Sequence, residues 1–307
     1  MNEKIVIVNA DDFGMSTSIT DAILVAHRYG FLTSTSLMAN MPAADYAVRQ
    51  AARTPNLGIG IHLNICEGKP ILPASDVRSL VDPNGNFHRP PVMIRKLWRW
   101  QVAADELVAE FRAQIRWMKI RGLDPTHADS HHHMHIYPAA VRPFLRTMKA
   151  EGIRCARTSR FSSWPKSHSS RPRIGNPYGG FVVRRIAAQV YRIVLQATLL
   201  NGLTSPDSRI SFLERDRSDP DVLSGRWSAT FEKLPPGTYE LSCHPGLFDP
   251  AFSCTDRIHA EREAELHCLT DHTLRRVLEK NGIRLISYRD LSDGKTNRNC
   301  MRRAAAL

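Results

Sequence analysis

The first 64 residues constrain the fold more than any other part of the chain, because strand and helix signals alternate there with short breaks. Lys4-Ile-Val-Ile-Val-Asn9 is an apolar run of strand length, the pattern of a strand buried on both faces. Asp11-Asp12-Phe13-Gly14-Met15-Ser16 breaks it. A helical pattern from Ile19 to Arg28 follows, with Ile19, Ala22, Ile23 and Ala26 on one face and Ser16 or Ser18 placed to cap it. Thr33–Met38 reads as a second strand, Ala43–Arg53 as a helix and Leu57–Asn64 as a third strand. This β-α-β-α-β rhythm predicts a parallel sheet wrapped by helices.

The rhythm continues downstream. Ala103–Arg121 carries Leu107, Phe111, Ile115 and Met118 at helical spacing, and Pro125–Ser130 leads into a His-rich stretch and the helix Pro138–Glu151. Ile153–Arg157, Gly237–Cys243 and Ile283–Ser287 read as strands, and Arg262–Asn281 as one helix. Repeated strand–helix units predict an α/β fold: a distorted or incomplete (β/α) barrel in a single domain over residues 1–292, with long βα loops, ahead of a doubly wound open sheet. Pro70–Arg99, with the turn signal Asp82-Pro-Asn-Gly85, predicts a long loop, and Ser159–Gly180, rich in Ser, Pro, Arg and Gly, a mobile segment or lid. The basic stretch 293–307 reads as a disordered tail.

The formal net charge of +12 raises the question of a polyanionic partner. Much of the excess falls in Arg157–Arg185 and Lys295–Arg303, neither of which interleaves aromatics with basic residues, so a basic solvated surface is expected and no specific nucleic acid. Ile186–Leu203 is interrupted by Arg192 and Gln196 and reads as an amphipathic helix, not a membrane span. Met1-Asn2-Glu3-Lys4 leads straight into a strand without the layout of a signal peptide, so the expected location is cytoplasmic. Six cysteines without a CxxC pair read as free thiols.

The chemistry-bearing residues gather at strand ends. Asp11-Asp12, His62, the cluster His131–His135 and His244 each fall at or just after the C-terminal end of a predicted strand, and in parallel α/β folds those ends share one side. Adjacent carboxylates in a crevice call for a compensating cation or proton, and a divalent metal supplies one while leaving the second Asp free as a base. Helix capping is the plain alternative for Asp11-Asp12, as a satisfied core histidine is for His62. Four histidines within Asp129-Ser-His-His-His-Met-His135 are costly to bury without a ligand; in an extended stretch His131, His133 and His135 share a face, and one or two reach the metal. His244, in Cys243-His-Pro-Gly246, is a candidate general acid, and Cys243 packs.

Several segments together resemble the YdjC-like carbohydrate deacetylases, which include chito-oligosaccharide deacetylases. They are Ile7-Val-Asn-Ala-Asp-Asp-Phe-Gly14, Thr33-Ser34, Gly60-Ile-His-Leu63 with Gly68-Lys-Pro70, Thr126-His-Ala-Asp-Ser-His-His-His-Met-His135, Cys243-His-Pro-Gly246 and Ser287-Tyr-Arg-Asp290. They run in the family's order over nearly the whole chain. The resemblance implies removal of an N-acetyl group from an amino sugar, on a small carbohydrate substrate, with a divalent metal, Mg2+ ahead of Zn2+. It implies Asp12, His62 and His131 as metal ligands, Asp11 as the base, His244 as the acid, and a homodimer. Arg157–Gly180, Ser205–Arg226 and the tail beyond Asp290 depart from the family pattern. Members linked to hopanoid lipids share the core, so a glycolipid substrate is one alternative; the positive charge leaves two others, a polyanion binder without catalysis and hydrolysis of a phosphate ester at the same metal.

Overall fold

The computed structural model describes residues 3–157, 202–212, 218–249 and 258–293. In chain order these form β1 (Lys4–Phe13), α1 (Thr17–Tyr29), β2 (Ser34–Leu37), α2 (Ala44–Ala51), β3 (Gly58–Leu63), α3 (Pro90–Trp98), α4 (Ala104–Lys119), β4 (Ala128–Ser130) and α5 (Pro138–Glu151). The second half contributes β5 (Ser208–Ile210), α6 (Pro220–Lys233), β6 (Gly237–Cys243), α7 (His259–Thr270), α8 (His272–Lys280), β7 (Ile283–Ile286) and α9 (Tyr288–Ser292). The lid expected at 159–180, nearly all of the expected helix 186–203, the tail from 294 onward, Cys254 and Cys300 lie outside the described residues.

The strands pair in parallel throughout, in the order β4-β3-β2-β1-β6-β5, with β7 also on β1. β1 is the spine. One edge pairs with β6 from Lys4↔Gly237 to Ala10↔Cys243, and the other is shared by β7 along Lys4–Ile7 and β2 from Asn9 onward. At the far edge the chain keeps curving, because Ala128 bridges Ala156 and Cys155 bridges Thr204, just ahead of β5. This α/β architecture is a distorted (β/α) barrel, as the strand–helix rhythm predicts.

Burial explains the helices. α1 is capped by Ser16, whose Oγ accepts from Ile19 N at 3.2 Å, and it buries Ile19, Ala22, Ile23 and Ala26. α4 buries Leu107, Phe111, Ile115 and Met118 together with the polar Glu110 and Gln114. Those two brace the loop after β3: Gln114 Oε1 accepts from Asn64 N at 3.0 Å, and Glu110 accepts from Ile71 N and Leu72 N at 2.9 and 3.1 Å. Gly60 carries no Cβ because the His127 ring lies against its backbone.

Four sequence expectations change. The loop expected over Pro70–Arg99 contains α3, opened by proline at its first turn and anchored by buried Met93 and Leu97. The single helix over Arg262–Asn281 is two helices, because Asp271 turns extended and caps the second, accepting from Thr273 N at 2.6 Å. The strand expected over Ile153–Arg157 shrinks to single bridges at Cys155 and Ala156. α6 was not foreseen, although Asp219 caps it, Pro220 begins it, and Leu223, Trp227, Thr230 and Phe231 are buried along it. No helix among the described residues is long and apolar enough to cross a membrane.

Candidate active site

The C-terminal ends of β1, β3, β4 and β6 bring Asp11, Asp12, His62, His131 and His244 together. Pairing of β1 with β2 slips between Ala10 and Phe13, and Asp12 sits in the left-handed region at φ 68°. Such a conformation costs on the order of 1–3 kcal/mol outside glycine and persists where the surroundings enforce it. The two carboxylates then part company. Asp11 accepts from both terminal nitrogens of Arg157, at 2.5 and 2.8 Å, and from Asn9 Nδ2 at 3.1 Å. Asp12 Oδ2 accepts from Arg262 Nη2 at 2.7 Å.

These arginines answer the electrostatic problem posed by adjacent carboxylates, so charge balance alone does not require a metal here. Burial acts to raise the Asp11 carboxyl, but Arg157 and His62 together outweigh it and hold Asp11 below its ordinary value. Burial is likewise outweighed at Asp12, by Arg262 and then His131, and its carboxyl lies well below the usual range. The remaining oxygen is the informative one. Asp12 Oδ1 is buried and accepts no well-directed hydrogen bond among the described residues, while His62 Nε2 and His131 Nδ1 lie 3.6 and 3.2 Å from it. One atom from each of Asp12, His62 and His131 falls within a 4.8 Å cluster. A carboxylate and two imidazoles in that spacing are a donor set that fits a divalent cation.

His62 is fixed from behind. Its Nδ1 lies 2.7 Å from Asp129 Oδ1, so a neutral ring keeps its proton on the Asp129 side and turns the Nε2 lone pair toward Asp12. Asp129 Oδ2 in turn takes Ser36 Oγ–H at 2.9 Å and lies 2.8 Å from Arg157 Nη2. Arg157 Nε donates to Glu240 Oε1 at 2.8 Å, and Tyr288 O–H donates to Glu240 Oε2 at 2.8 Å. One buried guanidinium therefore joins Asp11, Asp129 and Glu240 at the centre of the barrel.

The His-rich stretch does not continue as a strand. His131–Ile136 is a tight turn with His132 and His133 both left-handed, at φ 50° and 54°, so the alternation that would put His131, His133 and His135 on one face does not hold. His131 lies between Asp12 and Glu67, its Nε2 3.0 Å from Glu67 Oε2. Burial would lower its pKa, but the two carboxylates outweigh that and push it up to about 9. His133 faces Arg209 Nη1 at 2.9 Å, and His135 Nδ1 lies 2.6 Å from Ser130 Oγ. Burial holds His135 down to about 3.

His244 reaches the same place from β6, with Nε2 3.7 Å from Asp11 Oδ2. Its backbone N–H donates to Glu265 Oε2, and Arg262 Nη1 donates to its carbonyl at 3.3 Å, so α7 holds both His244 and Asp12. Cys243 is buried, with its thiol pushed well up by burial, which agrees with the packing role expected of it. Cys66, Cys155, Cys243 and Cys268 are free thiols.

Sequence reasoning missed the supporting residues. Arg157 was assigned to a solvated basic surface, yet it is 2% exposed. It stands at the end of the expected strand Ile153–Arg157, so the strand-end rule that picked out the histidines also pointed to it. Asp129, at the end of β4, carried the same signal. Glu67, Arg262 and Glu265 left no such mark.

The family described as YdjC-like protein matches residues 5–280. A protein named carbohydrate deacetylase from Brevibacillus brevis is 42% identical over 291 residues, spanning 93% of this chain and 98% of its own. Its namesake from Geobacillus stearothermophilus is 34% identical over 287 residues, spanning 92% and 96%. A protein from Yersinia enterocolitica named chitooligosaccharide deacetylase is 27% identical over 297 residues, spanning 94% and 99%. Among solved structures, one from Enterococcus faecalis V583, whose description proposes cellobiose-phosphate cleavage, superposes with a TM-score of 0.72 at 25% identity over 94% of this chain and 99% of that one. By the span of the family match and the full-length likeness to its relatives, the chain belongs to the YdjC-like protein family.

Proposed function

We propose that the chain is a metal-dependent carbohydrate deacetylase, a hydrolase that removes the N-acetyl group of an amino sugar or oligosaccharide and releases acetate. The observation that carries this reading is Asp12 Oδ1, a buried carboxylate oxygen with no well-directed hydrogen bond among the described residues, flanked by two imidazoles. In this reading Asp12, His62 and His131 hold a divalent cation. The resemblance implies Mg2+; two imidazoles beside one carboxylate equally suit Zn2+. Bound there, the cation would acidify a water and polarise the acetamide carbonyl.

The protein groups divide the remaining work. Arg157 keeps Asp11 ionised and fixes its plane, with Oδ2 turned toward His244. Asp11 takes the proton of the attacking water, and His244 Nε2 gives a proton to the departing amine. Both groups act on the same side, 3.7 Å apart, so a proton accepted at one leaves the other free to donate. Asp129 holds the His62 tautomer throughout. The depressed Asp11 carboxyl makes it a weak base by itself, so proton abstraction there would depend on the cation that Asp12, His62 and His131 would hold.

A substrate panel tests the reading: N-acetylglucosamine, chito-oligosaccharides, an N-acetylated glycolipid and a sugar phosphate, scored for acetate and for phosphate. Acetate release that is lost on chelation, restored by one divalent ion and absent in Asp11→Asn supports it. Turnover unchanged in Asp11→Asn removes Asp11 from the mechanism. The homodimer implied by the resemblance is tested by light scattering on the full chain.

A further inference from the structure

A second donor set lies beside the first and shares one residue with it. Cys66 Sγ and one ring nitrogen each from His131 and His132 fall within 4.8 Å of one another. The two sets meet at His131, whose Nδ1 is turned toward Asp12 Oδ1 at 3.2 Å and whose Nε2 is turned the other way, toward Glu67 Oε2 at 3.0 Å. That imidazole has a nitrogen for each side. Two hard-to-intermediate donors on one side face a sulfur and a further imidazole on the other.

The local fold holds these donors in place. Asn64 Oδ1 accepts from Cys66 N at 3.0 Å and from Glu67 N at 3.2 Å, and Asn64 Nδ2 donates to Asn40 Oδ1 at 3.0 Å and to Glu67 O at 2.7 Å. Gln114 grips the Asn64 backbone from both sides, at 3.0 and 2.6 Å. Opposite, the left-handed backbone of His132 brings its ring to 4.4 Å from that of His131, centroid to centroid. In an extended strand, neighbouring side chains point to opposite faces. The strained turn therefore undoes the separation that strand geometry would impose, and strain of this kind gathers at ligand clamps. Cys66 is 2% exposed, whereas His132 is exposed. A cation arriving from solvent meets the imidazole first and the sulfur behind it.

We propose that Cys66, His131 and His132 form a second metal site that takes a thiophilic divalent cation, of the class of Zn2+, Cd2+ or Co2+, bridged through His131 to the Asp12–His62 side, with the Glu67 carboxylate at its edge. Thiolate and imidazole donors select such ions over Mg2+ and Ca2+, which prefer oxygen. Binding forms sulfur–metal and nitrogen–metal bonds and releases to solvent both the Cys66 thiol proton and the proton on the His131 nitrogen that takes the ion, with no change of oxidation state. The inference needs only the donors and their spacing, not the deacetylase reading. In this proposal the ion takes the His131 nitrogen turned toward Glu67 and replaces that contact.

The test is spectroscopic. The full-length reduced protein is titrated anaerobically with Cd2+, and separately with Co2+, and the thiolate-to-metal charge-transfer band is followed. The expected result is a band saturating at one equivalent of sulfur-bound ion, lost in Cys66→Ser, weakened at least tenfold in affinity in His132→Ala, and retained in His62→Ala. Thermal melts of each variant show whether it is folded, so band loss in a folded Cys66→Ser protein reports the ligand itself. A wild-type protein with no band, or a band that survives Cys66→Ser, overturns the proposal. A band that His62→Ala abolishes also overturns it, because sulfur would then belong to the Asp12–His62 shell.

Discussion

Asp129 Oδ1 lies 2.7 Å from His62 Nδ1, on the side of the imidazole opposite Asp12. Carboxylates placed behind a ligating imidazole typically set metal affinity by about 10–100-fold. Asp129→Ala is therefore expected to weaken divalent-ion affinity by about that factor, read by competition with a chromophoric chelator. Affinity within twofold of wild type would detach Asp129 from the metal site.

Arg157 is the only positive charge in direct ion pairing, among the described residues, with Asp11, Asp129 and Glu240 together. Arg157→Met leaves three buried carboxylates without that partner, and removing one member of a buried pair costs about 3–5 kcal/mol. Urea unfolding should show a loss of that order. Arg157→Lys keeps the charge but not the planar fork, so it should recover part of the stability and less of the activity. A loss under about 1 kcal/mol in Arg157→Met would mean that the carboxylates take up protons instead.

Cation binding at Asp12, His62 and His131 should stabilise the fold by mass action, about 2.7 kcal/mol at a hundredfold excess over Kd. The melting temperature of stripped protein should rise with the effective ion and stop responding in His62→Ala. An equal rise in that variant would locate the stabilising ion elsewhere.

The buried His127 supplies a pH signature. Burial holds it down to about 3, against 6.5 for the free side chain, and its ring stacks on Tyr288 at 3.8 Å. Between those values the unfolded chain binds a proton that the folded state refuses. The stability contributed by neutral His127 is thus complete above pH 6.5 and is lost as pH falls toward 3. One such group changes stability by up to about 1.4 kcal/mol per pH unit. His135, held down to about 3 in the same way, adds a second. Urea midpoints from neutral pH down to about 4.5, above the main carboxylate range, should fall more steeply in wild type than in His127→Gln. Parallel slopes would sink the assignment.

The parts of this protein that were legible from sequence are those set by short-range pattern. β6 and α5 fall on their expected bounds because a strict alternation of Tyr239, Leu241 and Cys243 with polar residues and a proline-opened amphipathic helix each specify themselves locally. Strand ends identified His62, His131 and His244 because parallel topology sends all such ends to one side. What escaped depends on distance across the fold. The strand-end rule puts Arg157 on the same side of the sheet as Asp11, but nothing in the local sequence distinguishes a guanidinium paired with a carboxylate 146 positions away from one in solvent. Nor does the run His131-His-His announce a left-handed turn, since alternation is the default until a backbone is held against it. Charge was the least reliable guide, because a guanidinium in the core and one in solvent count alike in a net total.

The pairing of β1 carries a consequence for how the chain comes off the ribosome. Lys4–Ile7 find their partners in β6 and in Ile283–Ile286, so β1 waits for strands that lie far downstream of it. Until then one edge of an apolar strand, with Asp11 and Asp12 at its end, stays open, and an unpaired edge of that kind invites association with other chains. Truncations that remove β7 should therefore accumulate in aggregates during translation, even though β7 contributes none of the residues of the candidate active site.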